Sequence, residues 1–103
     1  MTSTKTHREI SDAVKVIADW RSMMIVHAIF EHGPIRYKDL DIMLGLSPSI
    51  MSDRLSQLAN AGLIARHKSP GIKEVVYEAL PVASSMVEAY HILERVNDSL
   101  KSR

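Results

Sequence analysis

The sequence predicts a mainly helical domain that carries one small β-hairpin late in the chain. Three observations predict it. Apolar residues recur at spacings of three and four through residues 8–30 and again through 48–61 and 81–100, the period of helices with one buried face. Glycines at 33, 45 and 62 fall where these patterns stop. Between residues 63 and 80 the period shifts to alternation around Ser69-Pro70-Gly71, which is the pattern of a hairpin and its tip.

Taken in order, residues 1–7 are polar with nothing to pack and are expected as a flexible arm, followed by a single domain over 8–103. Ile10, Val14, Ile17 and Ala18 mark a first helix. A second runs from Trp20 to Phe30 and stops at Gly33-Pro34, a glycine suited to a helix C-cap before a residue that cannot continue one. A short third helix over 36–44 carries Tyr37, Leu40, Met43 and Leu44 and ends at Gly45. Ser47-Pro48 opens a fourth, with serine as N-cap and proline in the tolerant first turn; Met51, Leu55, Leu58 and Ala59 give it one apolar side. Strands are expected over 63–68 and 73–80, with Val75, Tyr77 and Ala79 alternating against Glu74, Val76 and Glu78. A last helix starts near Pro81.

Composition narrows the function. The 103 residues hold 13 Lys+Arg against 12 Asp+Glu, a formal charge of +1, so a polybasic coat for nucleic acid is excluded while a local patch is not. With no cysteine, disulfides, thiolate zinc sites, Fe–S clusters and Cys nucleophiles are excluded. No apolar run is long enough to span a membrane, and no secretory signal is visible at the start, so a cytoplasmic protein is expected. There is no Gly-rich phosphate loop and no G-x-S-x-G, so the chain reads as a non-enzyme with no cofactor.

Two short helices joined by Gly45-Leu46-Ser47 and followed at once by a hairpin make the plan of a winged helix-turn-helix. In that plan a recognition helix, here about 48–61, enters the major groove, and the wing, here about 63–80, reaches the neighbouring backbone. Local charge agrees: residues 54–73 contain Arg54, Arg66, Lys68, Lys73 and His67 and no acid. Lys68 and Lys73, flanking the hairpin tip, are the best candidates for phosphate contact, whereas Arg66 either joins them or pairs with an acid to hold the wing.

At about 100° per residue, Met51, Leu55 and Leu58 face the core and Ser49, Ser52, Asp53, Ser56 and Asn60 lie opposite, with Arg54 and Gln57 on the flank. Ser47, Ser49, Ser52, Arg54 and Gln57 are therefore the candidate DNA-reading residues. Serine and glutamine can hydrogen-bond base edges, while Asp53 would be repelled by phosphate but could accept from cytosine N4. The same face could be only the wet side of an amphipathic helix.

The stretches GPIRYKDL and LGLSPSIMSDRLSQLANAGLIAR, residues 33–40 and 44–66, resemble the HxlR-type winged-helix regulators. The likeness rests on Gly33-Pro34, Arg36-Tyr37, Asp39-Leu40, Gly45-Leu46-Ser47, Leu55, Leu58, Gly62-Leu63-Ile64 and Arg66, and covers roughly residues 17–90. MarR, ArsR and PadR regulators share the L-x-x-L-x-x-x-GL-x-x-R portion. The resemblance implies phosphate contacts at Arg36 and Lys38 and a two-fold dimer of the first and last helices. Trp20-Arg21, Val75-Val76-Tyr77 and Leu80-Pro81-Val82-Ala83 depart from the family pattern, and the missing N-terminal cysteine removes thiol-based sensing.

The last helix bears Ala89, Tyr90, Leu93, Val96 and Leu100 as an apolar stripe with no later element to cover it, and Ile10, Val14 and Ile17 offer a matching stripe. Both are assigned to a homodimer interface. Such a dimer would act as a sequence-specific transcriptional regulator on a pseudo-palindromic duplex. The alternative is a winged-helix protein-interaction module without specific DNA binding, which the near-neutral charge favours. The operator, the genes, any small-molecule effector and the sign of regulation are not encoded legibly. Trp20 and the methionines beyond the first are expected to fill the core, and the five histidines show no metal-ligand spacing, so no metal site is expected.

Overall fold

Asp19 starts the helix at the centre of the molecule. Its backbone is extended and its carboxylate accepts the N–H groups of Arg21 and Ser22, satisfying two donors that helix α1 (Trp20–His32) would otherwise leave orphaned. This computed structural model describes Lys15, residues 18–68, Gly71 and residues 73–102. The expected arm, the apolar positions Ile10, Val14 and Ile17, and most of the expected first helix lie outside the described residues.

Gly33 ends α1 at φ 68°, in a conformation that an L side chain adopts poorly. Pro34 leads into strand β1 (Ile35–Arg36), followed by α2 (Tyr37–Leu44), α3 (Pro48–Asn60), β2 (Ile64–His67), β3 (Val76–Ala79) and α4 (Ala83–Lys101). The architecture is mainly helical with a small antiparallel sheet, as the sequence predicts. The sheet has three strands rather than two, in the order β1-β3-β2. β1 is the unexpected member: two residues show no alternation to read. Ile35 pairs with Tyr77 and Arg36 with Val76 on one edge of β3, while residues 64–67 pair with 79–76 on the other.

The core gathers around α1, which packs on α2, α3, α4 and β3. Ile25, Val26 and Ile29 from α1, Leu40 from α2, Met51, Leu55 and Leu58 from α3, Ile64 and Tyr77 from the sheet, and Ala83, Met86 and Val87 from α4 are all buried. Truncating one of the large ones to alanine costs about 2–5 kcal/mol. Two expectations fail here. Trp20 is 57% exposed, with the Arg21 guanidinium 4.8 Å from its ring. Nine residues separate it from fully buried Ile29, which turns the two about 180° apart on the helix. Met43 is also exposed, whereas Met23, Met51 and Met86 are buried. Only Leu40 of α2 reaches the interior, because so short a helix rests on the core along a single line.

Candidate nucleic-acid interface

The helix-turn-helix is built by two caps. Gly45 adopts the left-handed conformation at φ 65° and donates its N–H to the Asp41 carbonyl at 3.0 Å, which closes α2 and reverses the chain. Ser47 then caps α3, its Oγ accepting from the Ile50 N–H, with Pro48 in the first turn. Met51, Leu55 and Leu58 anchor α3 from below. This leaves Ser49, Ser52, Asp53, Ser56, Gln57 and Asn60 exposed on the opposite side.

The wing is fastened to this unit by pairing on both edges of β3. Tyr37, the first residue of α2, donates its N–H to the Val75 carbonyl at 3.0 Å, and Leu80 donates to Leu63 at 3.0 Å. Arg36 adds a side-chain clamp. Its Nε and Nη2 donate to the Asp39 carboxylate at 2.8 and 3.1 Å, and its Nη1 donates to both oxygens of Glu74 at 3.0 and 3.1 Å. These bonds raise the guanidinium pKa further above its ordinary value, and that of Asp39 is lowered chiefly by its hydrogen bond from Arg36. Arg36, expected at phosphate, is thus committed to holding the start of α2 against the foot of the wing.

Arg54 is likewise engaged. Its side chain is one-fifth exposed and donates to Asp53 at 2.6 Å and to Asp19 at 3.1 Å. Gln57 donates to the same Asp53 carboxylate at 3.3 Å. His67 stands 3.0 Å from Glu78 across the β2–β3 ladder. The acid-free run of residues 54–73 therefore meets acids in space, Asp19 and Glu78 from elsewhere in the chain and Asp53 at its border. Among the described residues, Lys38, Arg66, Lys68 and Lys73 make no ion pair.

Three of those four cations converge. A cleft of about 460 Å³ between α2, α3 and the wing is lined by Lys38, Ser52, Arg66 and Lys73 together with Tyr37, Tyr77, Glu74 and Val75. Strand register explains Arg66: it pairs with Tyr77, so it shares the face of the sheet turned toward α3. The sequence pattern did not reveal Tyr37, Glu74 or Asp19 as parts of this region. Asp19 had a signal, an Asp directly before an apolar helical run. The Arg36–Glu74 pairing, 38 residues apart, had none.

On α4, Leu93, Val96 and Leu100 are 51%, 50% and 58% exposed and Ala89 is exposed beside them. Tyr90 departs from that stripe: it is partly buried against the core and its ring lies 4.7 Å from that of His27. Burial raises its phenol pKa, with Glu94 adding to the effect. No helix among the described residues is long and apolar enough to cross a membrane.

The MarR family model matches residues 19–71, from the cap of α1 into the wing. No curated protein sequence matches the chain significantly. Among solved structures, the chain is similar to a SlyA-like transcription regulator from Listeria monocytogenes, with a TM-score of 0.72 and 13% identity, over 98% of this chain and 74% of that one. It is similar to HlyU from Vibrio cholerae N16961, with a TM-score of 0.68 and 24% identity, over 88% and 97% of the two chains. It is also similar to the transcriptional repressor BigR from Xylella fastidiosa, with a TM-score of 0.64 and 16% identity, over 96% and 93%. At these identities the likeness is one of fold.

Proposed function

The chain belongs to the MarR family of winged-helix DNA-binding regulators, and from that premise we propose that it is a homodimeric, sequence-specific transcriptional regulator acting in the cytoplasm. Within that broad class we assign it to the HxlR-like subtype, on the residues 33–40 and 44–66. Residues 8–103 form the single domain, with its first and last helices pairing two chains.

The cleft that joins Ser52 of α3 to Lys38, Arg66 and Lys73 is the observation that carries this reading. It sets an exposed, hydrogen-bonding helix face beside a row of cations without carboxylate partners among the described residues. A base-reading surface flanked by phosphate contacts has that composition. We assign Ser47, Ser49, Ser52 and Gln57 to the major groove, and Lys38, Lys68 and Lys73 to the backbone, with Arg66 beside them. Arg36 and Arg54 act indirectly, by positioning the wing and the recognition helix.

Beside the near-neutral charge, the interaction-module reading has a structural observation in its favour: Asp53 sits in the middle of the exposed α3 face, where phosphate would repel it. Selection from a randomised duplex library, followed by gel shifts at low and physiological salt, separates the two. A regulator enriches a pseudo-palindrome and binds it with a steep salt dependence. Uniform, weak binding to every duplex rejects specific recognition.

A further inference from the structure

His27 belongs to α1 and turns toward α4. Besides stacking near Tyr90, its ring lies 5.0 Å from that of His91, edge to face at 87°. Glu94 follows His91 by three residues on α4, a spacing that sets two side chains side by side, and His91 Nδ1 is 3.0 Å from Glu94 Oε1. One donor atom from each of His27, His91 and Glu94 lies within 4.8 Å of the other two. Two imidazoles and a carboxylate therefore converge at the edge of an otherwise apolar helix contact. No sequence spacing announces the trio, because His27 lies more than 60 residues before the other two, on another helix.

We propose that His27, His91 and Glu94 bind a divalent transition-metal ion of the zinc class. Two nitrogens and one carboxylate oxygen are a donor set that suits zinc and disfavours calcium or magnesium, which take oxygen ligands. Bonds of roughly 2.0–2.2 Å around a tetrahedral ion put donors about 3.3–3.6 Å apart. The His91–Glu94 pair, at 3.0 Å, has only to open by a few tenths of an ångström to meet that separation. The remaining closure is modest, and the His91 and Glu94 side chains, 47% and 49% exposed, can swing without disturbing the core. Exposure also leaves a fourth position to water. The ion would tie α1, the scaffold of the helix-turn-helix, to α4. His91 projects roughly opposite Ala89, Leu93 and Leu100 around α4, so the site needs neither DNA nor a second chain.

Calorimetric titration of the full chain, without an affinity tag and stripped with a chelator, tests this with Zn²⁺ alone. One ion should bind per chain, and zinc should raise the melting temperature. Glu94→Gln and His91→Gln, both at exposed positions, should each weaken binding at least about tenfold and abolish the thermal shift. His67→Gln, which disrupts a lone His–Glu pair on the sheet, should leave both unchanged. Absence of saturable binding, or equal affinity in wild type, Glu94→Gln and His91→Gln, would overturn the site and leave the trio as an interhelical aromatic contact.

Discussion

Arg54 reaches from the recognition helix to Asp19 at the start of α1, Nη2 to Oδ2 at 3.1 Å. The other oxygen of Asp19 caps α1 through the Arg21 N–H at 2.8 Å. One carboxylate thus terminates one helix and tethers another. Burial pushes its pKa up, but the hydrogen bonds from Arg54, Arg21 and Ser22 outweigh that and hold it below the ordinary aspartate value.

This relationship sets a pH dependence. The folded pKa of Asp19 lies below the unfolded one, so its stabilisation is complete above about pH 4 and is lost as pH falls through the folded value. Asp19→Ala should cost about 1–2 kcal/mol at pH 7, through the cap alone. Asp19→Asn keeps a capping oxygen and should cost less. Urea denaturation at pH 7 and near pH 2.5 checks both: the gap between wild type and Asp19→Asn should close in acid. A gap that persists there would show that the charge of Asp19 contributes nothing.

Lys68 and Lys73 should act without regard to sequence. Each phosphate contact removed with Lys68→Ala or Lys73→Ala should lower the slope of log affinity against log salt by about one unit. Affinity should fall alike for every duplex. Arg36→Ala should behave differently. It loosens the foot of the wing, so it should reduce affinity with a smaller change of slope per side chain.

Ser52 and Gln57 should govern which sequence is chosen. A good bidentate base contact discriminates by about 1–3 kcal/mol, with serine at the low end. Gln57 is held at rest by Asp53, so Asp53→Ala should free its amide and strengthen binding by removing a charge that faces phosphate. If Ser52→Ala and Gln57→Ala select the same site with the same mismatch penalties, the face does not read bases.

Much of this architecture is legible from the chain. The Gly45 and Ser47-Pro48 signals placed the turn and α3 because caps act locally, within a few residues. Periodicity placed Met51, Leu55 and Leu58 inside for the same reason. The charge reading was less transferable. Residues 54–73 are acid-free in sequence, yet Asp19 meets Arg54 and Glu78 meets His67 in space, since these ion pairs depend on strand register and helix crossing rather than on neighbours in the chain. Tyr90 shows a similar limit. It belongs to the apolar pattern of α4, but one step of about 100° turned it inward to His27.

The exposed stripe of α4 carries the fourth prediction. Leu93→Asp with Val96→Asp should yield folded monomers that bind DNA poorly, seen by sedimentation and gel shift. A two-fold pair would set two recognition helices about 34 Å apart, one turn of duplex. A wild type that sediments as a monomer at micromolar concentration and binds a single half-site with full affinity would remove the dimer.

β3 is hydrogen-bonded along both edges, to β1 beside the helix-turn-helix and to β2. Sliding it by one residue would break two ladders at once and turn Tyr77 out of the interior. The stem of the wing and the recognition helix are thus cut as a single key, with the spacing between its teeth fixed by register. On the proposed assignment, the distance from the bases read by α3 to the phosphates held by the wing would be set by that register within one half-site. In the proposed dimer, tolerance to operators of different length would then have to come from between the two keys.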